Sequence, residues 1–184
     1  MIGRGNERLC YIDPEDQTKV IKVRYKEGKT RDQNRLEYLY NQYLEKKGVS
    51  FAHICRCYGW VDIENNKKGL VFDRVLNFDK TPAITLSRAL KEAYISYEYA
   101  QALLEDLRQY LESNVILFVD VSLDNIMCQK QEDGSYRLII IDGLGARRPG
   151  LKFWFYRHIT PYAKYKVRSQ WIKLWKNFKK ALNS

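Results

Sequence analysis

Leu138-Ile139-Ile140-Ile141 runs straight into Asp142-Gly143-Leu144-Gly145, and this junction constrains the chain more than any other stretch. Four consecutive aliphatic residues read as a buried strand, and a carboxylate set at its end incurs a large desolvation penalty unless it meets a cation. A hard divalent ion bridging phosphate oxygens is such a cation, and Gly143 and Gly145 permit the sharp turn beyond the acid. Upstream, Asp120-Val121-Ser122-Leu123-Asp124-Asn125 has an Asp-x4-Asn spacing and follows the extended segment Val115 to Val119. One loop then carries an aspartate able to orient a hydroxyl and an asparagine able to ligate magnesium. The plainer alternative is that both are turn formers bonded to their own backbone.

Two further pieces lie near the start of the chain. Gly3-Arg4-Gly5 stands between strand-like segments, where glycine lets backbone N–H groups come close to phosphate oxygens. Arg8 occupies the place where a third glycine of a six-residue loop would fall, and alone the segment reads as a hairpin turn. Lys22 sits inside Val20-Ile21-Lys22-Val23, and a lysine on an apolar strand is costly to bury unless its ammonium finds an anion. Glu37, on the helix that follows, is the expected partner, with Glu45 second; a lysine facing water from an edge strand is the alternative.

The rest of the pattern is α+β. Lys19 to Tyr25, Ile54 to Ile63 and Gly69 to Val75 read as strands, with turn chemistry at Asp13-Pro14-Glu15-Asp16 and at 64–68. A polar connection at 26–31 leads to a helix carrying Leu36, Leu39, Tyr40, Tyr43 and Leu44, which Gly48 ends. Beyond Pro82 the pattern turns helical. Thr85 or Ser87 caps a short helix near Leu86, and Tyr97 to Glu112 carries the stripe Ala100, Leu103, Leu104, Leu107 and Leu111. Residues 1–75 are thus expected to form a small antiparallel sheet with one helix, and 76–150 the core of an abbreviated, mainly helical lobe. A basic aromatic helical tail is expected over 151–184. The whole is expected to be a single domain.

Thirty-two basic against twenty-two acidic residues give a net charge of +10, which favours anionic partners. No apolar run approaches the ~18 residues of a membrane-spanning helix, and the start of the chain has no signal-peptide core. A cytoplasmic protein is expected, peripheral at the inner face of the membrane if the tail meets lipid. His53, Cys55 and Cys57 alternate as strand neighbours sharing a face, but without a fourth ligand they read as small buried residues and not as a metal site.

In this order, the glycine turn, strand lysine, helix glutamate, Asp-x4-Asn and strand-Asp-Gly resemble the protein-kinase-like fold. More narrowly, Gly3 to Asp16 with Ile21-Lys22, Leu123-Asp124-Asn125-Ile126 and Ile141 to Gly145 resemble the PhoP regulatory network protein YrbL family. The resemblance implies ATP and magnesium as cofactors. It implies that Gly3 and Gly5 cover the phosphates, Lys22 binds them and Glu37 holds Lys22. Asp120 would be the catalytic aspartate, Asn125 and Asp142 the magnesium ligands, and backbone groups from Asp73 to Val75 would meet adenine. Phe118-Val119 stands where His-Arg is common, and Ser122 where a phosphate-contacting lysine often sits. Gly143-Leu144-Gly145 follows Asp142 in place of Phe-Gly.

No Ala-Pro-Glu motif or long activation segment follows Asp142, so a peptide acceptor is not expected. The leading expectation is phosphoryl transfer from ATP to a hydroxyl of a bacterial glycan or another non-protein acceptor, such as an anionic glycolipid. One rival is a regulatory module that binds nucleotide without turnover. The other is a basic membrane- or nucleic-acid-binding protein with vestigial motifs; nucleic acid is the least expected partner. In the tail, Trp171, Leu174, Trp175, Phe178 and Leu182 share one helical face, with lysines on the remainder. That face is expected to complete the shortened lobe. A basic amphipathic helix of this kind can instead lie on an anionic membrane, and both hold together if Trp154 and Phe155 pack inward while lysines face lipid headgroups.

Overall fold

The computed structural model describes the chain apart from residues 6, 26–31, 64–66, 147–149 and 183–184, and no side chain is described at 151–153, 157 or 182. The expected connection at 26–31 and part of the turn at 64–68 lie outside the described residues. The chain folds as two compact units: Met1–Phe51 with Cys55–Arg74, and Ala52–Ile54 with Val75–Ser184.

The first unit holds β1 (Gly3–Arg4), β2 (Arg8–Ile12), β3 (Lys19–Arg24), α1 (Gln33–Lys46), β4 (Cys57–Ile63) and β5 (Lys67–Asp73). The strands form an antiparallel sheet in the order β1-β2-β3-β5-β4. Asp32 starts α1 by accepting the Arg35 N–H at 3.1 Å, and Gly48, at φ +68°, turns the chain out of it. Leu36, Tyr40 and Leu44 recur every fourth residue and are buried together, which fixes the helix on the sheet. At Gly69 a side chain would run into Ile21 of β3, so glycine sets the approach of β3 and β5.

The strand expected from Ile54 begins only at Cys57. Ile54 instead bridges in parallel to Ile140, within the second unit, and the register of β4 shifts between Cys57 and Gly59.

The second unit holds β6 (Ile84–Thr85), α2 (Leu86–Lys91), α3 (Tyr97–Asn114), a 3-10 turn (Leu123–Asn125), β7 (Ile126–Lys130), β8 (Tyr136–Ile140), α4 (Leu151–His158) and α5 (Thr160–Leu182). Its sheet runs β6-β7-β8, all antiparallel. Thr85 caps α2 by accepting the Arg88 N–H at 3.2 Å, and Ser96 caps α3 through the Tyr99 N–H at 3.1 Å. The stripe of α3 from Ala100 to Leu111 is buried as its spacing requires. Against it packs α5, whose Val167, Leu174 and Phe178 are buried. Phe178 stacks on Tyr97 with ring centroids 4.8 Å apart. The tail therefore completes the helical core. The architecture is α+β and protein-kinase-like, with an antiparallel N-terminal sheet and a mainly helical C-terminal part.

The condition set for the tail on Trp154 and Phe155 is not met. Trp154 and Phe155 do not pack inward: they are 51% and 36% exposed. Among the described side chains of α4 the buried ring is Tyr156, stacked on Tyr162 at 5.4 Å, while Trp154 lies over His158 one turn along. Among the described residues no helix is long and apolar enough to cross a membrane.

Candidate functional site

In the first unit, the register of β3 sets Lys22 opposite Cys10 of β2 and Leu70 of β5, so this lysine lies on an interior strand. It is only 8% exposed. Its Nζ stands 3.2 Å from Glu37 Oε2 and 4.3 Å from the centre of the Phe72 ring. The water-facing alternative for Lys22 does not hold. Glu37 is buried on α1, whereas Glu45 is exposed, so the helix offers Glu37 as the internal counter-charge.

Arg8 joins the same carboxylate. Its Nη1 donates to Glu37 Oε2 at 2.9 Å and its Nη2 to Oε1 at 3.0 Å, a bidentate fork. Asn34, one helical turn before Glu37, accepts from Arg8 Nη1 at 3.1 Å and donates to the Lys22 carbonyl at 2.9 Å. Gln33 Nε2 adds a bond to Glu37 Oε1 at 3.3 Å. Three side chains thus converge on one buried carboxylate, and α1 is pinned to β2 and β3 through it.

Gly3 pairs with Cys10, and the Gly5 N–H donates to the Arg8 carbonyl at 2.8 Å. A Cβ at Gly3 or Gly5 would meet neighbours only at 3.6 and 3.7 Å, ordinary contact distances. The turn itself does not require glycine at either place. Residue 6 between them and Arg8 lies outside the described residues.

Asp73 ends β5. Its carboxylate accepts the Arg56 N–H and the Tyr58 hydroxyl, both at 2.7 Å, and this acceptor pushes the Tyr58 phenol up to about 12. The Asp73 and Arg74 N–H groups donate to the carbonyls of Arg56 and Thr18. Val75 is buried, and its carbonyl accepts the Ala83 N–H at 3.2 Å.

In the second unit the β7–β8 hairpin gathers the acidic residues. Ile126 pairs with Ile140, and the Ile141 N–H donates to the Asn125 carbonyl at 3.0 Å. Asn125 and Asp142 therefore stand at the same end of the hairpin. The segment before Asp120 joins them: Phe118 bridges Leu144, and the N–H groups of Val119 and Asp120 both donate to the Gly143 carbonyl, at 2.8 and 3.2 Å. Gly143 has φ +84°, and a Cβ there would stand 2.7 Å from Asp120 Cβ and 3.0 Å from its carbonyl oxygen. Only glycine lets the Asp142 turn lie this close to Asp120.

The side chains fit a magnesium site. Asn125 Nδ2 donates to the Asp120 carbonyl at 2.9 Å, which fixes the amide's orientation and leaves Oδ1 as its acceptor atom. Asp142 Oδ1 accepts the Gly143 N–H at 2.6 Å, which sets the carboxylate's direction. Among the described residues no group of three or more His, Cys, Asp or Glu side chains is arranged to hold a metal. One carboxylate and one amide oxygen are nonetheless what magnesium takes when waters and substrate phosphates fill the remaining positions. Ser122 does not reach outward: its Oγ accepts the Asp124 N–H at 3.2 Å and caps the 3-10 turn.

One participant escaped the sequence reading. Arg8 was visible there only as a missing glycine; its partner lies 29 residues away, and no local pattern marks that pair. His53 directs Nδ1 to the Leu138 carbonyl at 2.9 Å and Nε2 to Asp106 at 3.4 Å, and its ring lies 4.9 Å from Tyr110. Cys55 is buried, and desolvation pushes its thiol up to about 12 and that of Cys57 to about 11.

Comparison with known proteins agrees with this architecture. The family model for PhoP regulatory network protein YrbL matches residues 1–179. The Escherichia coli (strain K12) protein named "Uncharacterized protein YrbL" is 30% identical over 147 residues, which cover 78% of this chain and 70% of that one. The Shigella flexneri protein of the same name matches to the same extent. Among solved structures, the CAK complex of Chaetomium thermophilum bound to ATP-gamma-S contains a chain that matches with a TM-score of 0.53 and 16% identity. The match covers 76% of this chain and 44% of that one, so the chain spans under half its length and the likeness is one of fold.

Proposed function

The chain belongs to the PhoP regulatory network protein YrbL family, and we propose that it is an ATP- and magnesium-dependent phosphotransferase acting on a non-peptide hydroxyl. The observation that carries this reading is Lys22, an ammonium on an interior strand held at 3.2 Å by the buried Glu37 carboxylate. Burying such a pair costs solvation, and replacing it by well-packed apolar residues is often neutral or stabilising, so stability alone gives it little reason to exist. A phosphate-binding lysine gives it one.

The assigned roles are those the family resemblance implies, and the donor and acceptor groups on each residue are compatible with them. Lys22 Nζ binds phosphate oxygens, and Glu37 fixes its position. The Gly3 to Gly5 turn presents backbone near the phosphates, and the chain from Asp73 to Val75 meets the base. The committed N–H groups of Asp73 and Arg74 narrow that last role to the remaining backbone groups of the segment. Asn125 Oδ1 and the Asp142 carboxylate hold magnesium, which when bound neutralises charge on the phosphate oxygens. Asp120 orients the acceptor hydroxyl and takes its proton late. Positioning and charge neutralisation carry most of such a transfer, so little covalent chemistry is asked of the protein.

The acceptor is a hydroxyl of a glycan or anionic glycolipid. Two observations support a non-peptide acceptor: residues 151–182 fold into α4 and α5, and α5 is committed to the core through Leu174 and Phe178. A second reading, nucleotide binding without transfer, is favoured by Ser122, whose hydroxyl serves the 3-10 turn where a lysine could have contacted phosphate.

The test is ATP turnover against a panel of sugars and glycolipids, with Asp120→Asn alongside the wild type. Magnesium-dependent transfer that drops at least about 100-fold in the variant supports the enzyme. Nucleotide binding with no turnover on any acceptor, unchanged by Asp120→Asn, replaces it with the binding module.

A further inference from the structure

We propose that the outward face of α4 and α5 docks on an anionic lipid bilayer. The charge of the chain is segregated. Up to and including Asp142 it carries 21 Lys and Arg against 22 Asp and Glu; after Asp142 it carries eleven Lys and Arg and no acid at all. The net charge of +10 therefore belongs entirely to the last 42 residues. A solvated helix face normally mixes the two signs for solubility and for pairing along the helix. Here nothing on the segment neutralises its own cations.

The structure adds a second, independent feature. The face of α5 turned to the core is filled by Ala163, Val167, Leu174 and Phe178. Its opposite face carries Tyr162, Tyr165 and Ile172, spaced by three and seven residues, so they form one stripe along the helix. Tyr165 is 69% exposed and Ile172 56%. At the α4 end the stripe continues into Phe155, whose ring is 6.2 Å from Tyr162, and then into Trp154, 5.4 Å from Phe155. Lys164, Arg168, Lys173 and Lys176 border it and are exposed. Tyr162 also stacks on the buried Tyr156, whereas Tyr165 and Ile172 are the most exposed members of the stripe.

Charge and shape select the occupant. Trp and Tyr favour the boundary between headgroups and acyl chains, where one part of the ring is apolar and the rest is wet, and lysines beside them meet anionic headgroups. A second copy of the same face would set Lys164, Arg168, Lys173 and Lys176 against cations of the same kind, with no acid on the segment to pair them. Single-stranded nucleic acid uses cations in a groove with rings that stack on bases, whereas this stripe stands on a helix face and includes Ile172, which has no ring to stack.

The experiment is co-sedimentation of the full chain with vesicles of phosphatidylcholine alone and with about one-third phosphatidylglycerol. Binding at least about tenfold stronger to the anionic vesicles, weakened by salt, is expected. Tyr165→Ser/Ile172→Ser keeps every cation and, because both residues are exposed, should keep the melting temperature; it should lose about fivefold or more on the same vesicles. Lys173→Gln/Lys176→Gln should lose affinity for anionic vesicles only. Equal binding to both compositions overturns the proposal. So does full binding by the folded Tyr165→Ser/Ile172→Ser variant, or a single-stranded oligonucleotide that displaces the protein from vesicles and binds that variant undiminished. None of these readings depends on whether the chain transfers phosphate.

Discussion

Arg8 and Lys22 share the carboxylate of Glu37: the guanidinium grips both oxygens at 2.9 and 3.0 Å, and the ammonium meets Oε2 at 3.2 Å. The residue that stands where a third glycine would fall is therefore part of the scaffold that holds Lys22. Arg8→Met removes three bonds from the guanidinium, two to Glu37 and one to Asn34, but leaves Glu37 its lysine, so a loss of about 2–3 kcal/mol is expected. Glu37→Gln removes the charge both cations need and should cost about 3–5 kcal/mol. Urea denaturation of the two variants and the wild type checks the order.

Gly143 gives a second prediction, with a control built into the chain. Gly134 has φ +82° with nothing within 4 Å of where a Cβ would stand, so Gly134→Ala brings backbone strain alone, about 1 kcal/mol. Gly143 has a like φ of +84° but stands against Asp120, so Gly143→Ala adds a clash with backbone. About 3 kcal/mol in total is expected. Nucleotide affinity should fall in Gly143→Ala and stay unchanged in Gly134→Ala, read by calorimetric titration.

Most of the elements were legible in the sequence because they rest on local rules. The α3 stripe and the Thr85 alternative for the α2 cap needed only spacing and capping chemistry. The order of Lys22, Glu37, Asp120, Asn125 and Asp142 was legible too, and β3, α1 and the β7–β8 hairpin explain how residues so far apart in sequence are grouped within each unit. What escaped depends on long-range contact. Arg8 finds Glu37 across 29 residues, Ile54 leaves its expected strand to meet Ile140, and β6 joins a sheet on the strength of two residues. Trp154 and Phe155 face outward although apolar, which composition cannot foretell: burial of Tyr156 decides which side of the short α4 faces in.

The C-terminal helix should behave as core. Phe178 is fully buried against Tyr97, so Phe178→Ala should cost about 3–5 kcal/mol, whereas Ile172→Ala on the exposed face should stay within about 0.5 kcal/mol. Thermal melts of the two variants separate these outcomes. Equal effects would mean that α5 is not part of the cooperative unit.

Buried thiols set a limit at high pH. Burial raises Cys128 from 9.0 in the unfolded chain to about 12 in the fold. Between those values the unfolded state loses a proton the native state keeps, so stability is intact below pH 9 and falls as pH rises toward 12. The slope approaches about 1.4 kcal/mol per pH unit for one such group. Cys128→Ala should lower stability at neutral pH by leaving a small cavity, yet flatten the decline above pH 9. Urea melts at several alkaline pH values under reducing conditions read the slope separately from the level.

The central claim is that this fold binds a magnesium nucleotide, and the most direct test is the melting temperature with and without ATP and magnesium, for the wild type and Asp142→Asn. A ligand at 100 times its dissociation constant adds about 2.7 kcal/mol to the native state. For a chain of this size that corresponds to a rise of about 5 °C or more. The account predicts such a rise in the wild type, dependent on magnesium and lost in Asp142→Asn. No rise at millimolar nucleotide, or one that survives undiminished in the variant, would contradict it.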